Sequence, residues 1–390
     1  MRTLLLAASL LPTLAIAAPD FTTTTGFQQT CQHAPQTAQM ANANADKQAF
    51  VLCRDVALVQ QVSGWLKTNM ARLDQSKTGY KQLEEDLHRE ILLVRDHLRT
   101  TRAVLTKINL QKGDGLKVTP GTWQVDLDGD SKIDVWEKYF FAIPKAGTRP
   151  FEVHPPMNEP DYYANEYQLD ASFRIDQSDI LWALAYHQFA EGIIELVGAY
   201  RVNPDEQKDF ERMVYLGDPK GMTRAHALIT KGFETSLAMS RSVLAETDDE
   251  DEWIPNPKQK HTAFPLTLDA ESFSTWQHLL EEVIPAWKGK TLLVSEKMDS
   301  GMLAGVTELC PAGQGLNIAR YFQKPLKYPM QSFTAMNRDG RMHLPGGCQT
   351  VDKQHPKSGL FAYIRDYMSR HENDPQAPGM HFLRHLYWVN

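Results

Sequence analysis

A mainly α fold, a multi-helical bundle built from antiparallel helical hairpins, is what this 390-residue chain predicts. Apolar residues recur at three- and four-residue spacing through several long stretches, and turn-forming breaks divide those stretches into successive pairs. No other repeat stands out. One short acidic loop with the spacing of a calcium site interrupts the helices, and the last hundred residues are less regular.

The chain opens MRTLLLAASLLPTLAIAAPD: a basic start, an apolar run and the small-x-small tripeptide Ala15-Ile16-Ala17. This pattern predicts that residues 1–17 are a signal peptide and that the mature chain begins near Ala18. The apolar run is shorter than the ~20 residues that span a bilayer. Cys31 lies too far downstream for a lipid-anchored start. Export to the periplasm, or secretion, is therefore expected.

Residues 18–44, with TTTTGFQQT and TAQMANANAD, read as an exposed or loosely held, flexible leader tied down through Cys31. The hairpin comes next, over 45–110. Its first helix carries Leu52, Val56, Val59, Leu66 and Leu73, and its second, from Tyr80 to about Ile108, carries Leu83, Leu87, Ile91, Val94 and Leu98. His88 and His97 fall on opposite flanks of that second stripe and read as partly solvated boundary residues.

Residues 111–170 hold the acidic loop and then a connection rich in Pro and Tyr, a reasonable place for a binding surface. The central region, 171–290, contains two long helical stretches, Asp176–Val202 and Gly221–Glu246, that predict a second hairpin. Gly192 and Gly198, with Ala185, Ala190 and Ala199, permit close approach of a neighbouring helix. A short helix is expected near Pro204, an exposed linker at Asp248–Glu252, and a further helix from Asp269 that Pro285 should stop. Residues 291–390 close the chain with short apolar pieces and two modest helices.

Four cysteines on the exported side permit two disulfides. Short loops close at lower entropy cost, which favours Cys31–Cys53 and Cys310–Cys348. The formal charge of −7 supplies no concentrated basic surface, and a nucleic-acid partner is not expected.

In DLDGDSKIDVWE, Asp126, Asp128, Asp130, Asp134 and Glu137 stand at positions 1, 3, 5, 9 and 12 of a calcium loop, with Lys132 at 7 able to offer its carbonyl. The segment resembles the calcium loops of the EF-hand and dockerin-like families. That resemblance implies a Ca2+ cofactor held by these six residues. Ser131 departs from it, because glycine is usual at position 6, where the backbone turns sharply. No helix precedes the loop, since Pro120 and Gly121 intervene. A solitary loop of this kind points to a structural ion rather than a switch.

Catalytic patterns are sparse. No G-x-S-x-G elbow, H-E-x-x-H pair or phosphate loop occurs. His187, Glu191 and Glu195 share one face of the first central helix, and His226 lies on the second, so His187, Glu191 and His226 are the candidates for a site between helices. Two readings stand: a calcium-stabilised envelope scaffold or binding protein, whose partner is an envelope protein or polymer, and a periplasmic hydrolase or metal-dependent enzyme.

Overall fold

The computed structural model describes residues 18–34, 41–70, 72, 77–145, 159–206, 209–247, 251–265, 268–294, 310–331 and 346–370. Among them helices dominate, and the strands are two- or three-residue pairs. The expected signal peptide at 1–17 and the last expected helix, beyond residue 370, lie outside the described residues.

Helix α1 (Thr24–His33) begins at Thr23, whose hydroxyl accepts from the Gly26 amide. The start of the leader is thus packed against the fold, and its residues 35–40 lie outside the described residues. Phe21 and Phe27 are buried, Phe27 stacks on Trp123 with centroids 5.1 Å apart, and the Trp123 indole donates to the Phe21 carbonyl. Two large aromatics within seven residues bury enough surface to dock a segment whose polar composition alone suggests solvation.

Helices α2 (Asn44–Met70) and α3 (Lys77–Leu105) form the expected antiparallel hairpin. Lys47 meets the Lys107 carbonyl at one end and Arg72 meets Asp86 at the other. After β1 (Lys117–Val118) the acidic loop leads into the short helix α4 (Val135–Tyr139). Strand β2 (Ile143–Pro144), helix α5 (Pro160–Glu166), strand β3 (Tyr167–Gln168) and strand β4 (Phe173–Arg174) follow. β1 pairs with β4 and β2 with β3, both antiparallel. One tyrosine of the connection turns inward: Tyr163 is buried and stacks on Tyr139 of α4 at 5.4 Å.

Helix α6 (Gln177–Gly198) is capped by Asp176, and Asp179 closes a reciprocal capping box. The hairpin of β5 (Tyr200–Val202) and β6 (Val214–Leu216), carrying α7 (Phe210–Met213), returns the chain to α8 (Pro219–Ala245). The short helix expected from about Pro204 is met by a 3-10 turn, Pro204–Glu206, and by α7. α6 and α8 run antiparallel: Ser178 meets Ser242 at one end, and Gly221 lies against Ala199 at the other. Between those ends Gly192 faces Ala225 and Ile229.

Helix α9 (Ala270–Trp287) runs two residues past Pro285 instead of stopping there. Proline falls in the last turn, where the single backbone bond it removes is close to the end of the ladder. Of the acidic stretch expected to be exposed, Glu252 is buried, and it adjoins the core of Trp253, Ile254, Phe264, Phe273 and Trp276. The C-terminal part is less regular, with β7 (Gln314–Leu316), α10 (Ala319–Gln323), β8 (Cys348–Thr350) and α11 (Leu360–Arg370). Both disulfides pair as expected, Cys31–Cys53 and Cys310–Cys348.

Candidate functional site

The acidic loop folds around its own first carboxylate. Asp126 accepts from the amides of Gly129 (2.7 Å), Asp130 (3.2 Å) and Ser131 (2.8 Å). Asp130 accepts from Lys132 N at 2.9 Å. Ser131 sits at φ 70° and Gly129 at 78°, so the left-handed turn is made although serine occupies one of its positions. One oxygen each from Asp126, Asp128 and Asp130 lie within 4.8 Å of one another, and these three can coordinate a divalent ion.

The other three predicted ligands are differently engaged. Asp134 caps α4, and Glu137, buried, spends its carboxylate on the backbone: one oxygen accepts from Leu127 N and Asp128 N, the other from Asp134 N. Lys132 is exposed, with its amide on Asp130. A cation of the protein's own reaches the cluster from α2. Lys67 Nζ lies 2.8 Å from Asp128 and 3.5 Å from Asp130, and its hydrogen bond to Asp128 raises the ammonium above the usual lysine range. Gln60, also on α2, donates to the Asp126 carbonyl.

The structure does not bring His187, Glu191 and His226 into one contact. Glu191 bonds Arg99 and Arg102 of α3, while its neighbour Glu195 bonds Arg99 and Arg224. His226 bonds the Trp287 carbonyl and stacks on the Trp287 ring. His187 instead meets Asp55 of α2, with Nε2 3.2 Å from Oδ1 and 3.1 Å from Oδ2.

The partners of His187 define its protonation. Nδ1 lies 2.8 Å from the Ala183 carbonyl, which can only accept, so Nδ1 carries hydrogen. Nε2 then donates to the ionised Asp55, leaving an imidazolium against a carboxylate. Burial pulls the His187 pKa down, but the charge and hydrogen bond of Asp55 outweigh it and the net shift is upward. For Asp55, burial pushes upward, but the charge and hydrogen bond of His187, and then the nearby His97, prevail and leave it below the usual carboxylate range. His97 approaches Asp55 from α3 with Nε2 at 3.8 Å, and that nitrogen is buried without a hydrogen-bond partner. His97 is therefore not the solvated boundary residue its position on the stripe suggests.

Sequence reasoning missed Asp55. Its signal was a lone acid beside the apolar stripe of Leu52, Val56 and Val59.

Asp55 also lines a cavity of about 500 Å³ between α2, the start of α6, and residues 140–144 at the exit of α4. The remaining lining is mostly aliphatic and aromatic, with Trp123, Trp182 and Trp253 in the wall. Asp179, which also lines it, gathers with Asp176 and Glu246 at the α6 N-terminus. Burial, and then the charge of Asp176, push Glu246 up to about 9, and the same two causes raise Asp179 well above the carboxylate range.

No protein-family model, no characterised protein and no solved structure matches the chain. No helix among the described residues is long and apolar enough to cross a membrane.

Proposed function

We propose that the chain is an exported helical scaffold or binding protein of the cell envelope, acting on an envelope protein or polymer, with Ca2+ in a structural role at the acidic loop. The observation that carries this reading is the convergence of Asp126, Asp128 and Asp130 beneath α2. Three carboxylates this close repel one another unless a cation neutralises them. Calcium suits the loop better than magnesium, because a bidentate Glu137 and the Lys132 carbonyl would add three oxygens to one each from Asp126, Asp128, Asp130 and Asp134, and seven ligands fit the larger ion. Loading would draw Glu137 off its backbone amides and displace Lys67. Both exchanges oppose binding, so the affinity is modest.

Isothermal titration of chelator-treated protein tests it. Near-unit calcium stoichiometry is expected, lost in Asp126→Asn and strengthened severalfold in Lys67→Met, which removes the competing ammonium. No heat of binding at millimolar calcium would sink the proposal.

A second reading, a hydrolase or metal-dependent enzyme with its site between the helices, draws on Asp55, His97 and His187, which approach one another from α2, α3 and α6. Asp126→Asn and His187→Ala separate the two. Metal that survives Asp126→Asn but disappears, together with turnover of a defined substrate, in His187→Ala belongs to the helices. Metal lost with Asp126→Asn alone belongs to the loop.

A further inference from the structure

We propose that the cavity between α2, α6 and the exit of the acidic loop binds a neutral, hydroxyl-bearing apolar molecule, a long-chain alcohol or phenol, whose hydroxyl donates to Asp55. Size and lining fit a small-molecule site: about 500 Å³, mostly hydrocarbon and aromatic, with few polar groups. Protein interiors otherwise keep few voids larger than a water molecule. The wall is also held in place from behind. Trp123 is stacked on Phe27, and Trp253 is packed between Phe173 at 4.7 Å and Phe264 at 4.9 Å, so these rings are not free to fill the space.

The polar groups in the wall select the ligand's head. Gln48 is occupied, accepting from Leu116 N and donating to the Asn44 carbonyl. Asp179 is occupied by the amides of Asp176, Trp253 and Ile254. Asp55 differs: it lies deep among the helices, yet 33% of its side-chain surface is accessible, and it lines the cavity. An ionised carboxylate has about four acceptor sites, and the His187 imidazolium does not exhaust them. A ligand carboxylate would bring like charge to an acceptor. An ammonium would add a charge to a pair that His187 already neutralises, at a desolvation cost nothing else offsets. A hydroxyl donates and adds no charge. This inference does not depend on what the acidic loop binds.

Titration of the full, disulfide-bonded chain with 1-octanol, octanoate and octylamine tests it, followed by calorimetry and by the fluorescence of the cavity tryptophans. Saturable 1:1 binding of 1-octanol is expected, with the other two weaker by at least about tenfold, the equivalent of 1.4 kcal/mol. Ala183→Trp, which fills the cavity from α6, should abolish 1-octanol binding with helix content unchanged. If that variant does not fold, Val59→Trp fills it from α2. Absence of 1-octanol binding, octanoate or octylamine binding as tight as 1-octanol, or unaltered affinity in a folded, filled variant each overturns the proposal.

Discussion

Single ionisable side chains set how this molecule responds to pH. Glu246 holds its proton in the folded state up to about 9, whereas an unfolded glutamate titrates near its ordinary value of 4.5. A raised carboxyl favours the fold at low pH, and that contribution is lost as pH rises through the interval between those values. His187 acts in the same direction: its folded pKa lies above 6.5, so its pairing with Asp55 is fully present below 6.5 and lost as pH rises through the folded value. Asp55 is the opposite case, lowered from 3.8, and its contribution disappears only as pH falls through that lower value. Calorimetry should therefore show Tm declining by several degrees from pH 6 to pH 9. Glu246→Gln, an amide in place of the neutral acid, should flatten that decline. A Tm independent of pH over this range would show that the carboxyl cluster at the α6 N-terminus is ionised without penalty.

At the scale of elements, the bundle depends on how closely two helices approach, and one substitution tests this with opposite signs. A Cβ at Gly192 would lie 2.7 Å from Ile229 Cγ1 and 3.3 Å from the Ala225 carbonyl, where α6 meets α8. A Cβ at Gly64 of α2 would meet only the Asp128 carbonyl, at 3.9 Å. Gly192→Ala should destabilise by about 1–2 kcal/mol, because overpacking outweighs the gain in helix propensity. Gly64→Ala should stabilise by about 0.5–1 kcal/mol, since the unfolded chain loses freedom and nothing must move. Denaturant midpoints of the two variants check both signs. The Gly192 contact was legible as a small residue on a central helix, but its partner was not.

For the whole molecule, the two disulfides hold regions that the helix pairs alone do not. Cys31–Cys53 closes a separation of 22 residues and fixes α1 to α2. The paired variant Cys31→Ser/Cys53→Ser should lose about 3 kcal/mol by loop-closure entropy, read as a lower denaturant midpoint. Unchanged stability would mean that Phe21 and Phe27 dock the leader unaided. The sequence by itself determined the mainly helical fold, both disulfide pairings and the acidic loop, because apolar period, loop-closure entropy and carboxylate spacing are local or nearly local properties. It could not determine that Glu137 would bond backbone amides, that Lys67 would reach Asp128, or that His187 would leave Glu191 and His226 for Asp55. Those outcomes belong to tertiary structure: helix periodicity fixes which face of a helix is apolar, whereas the partner of each charged group depends on which elements pack beside it.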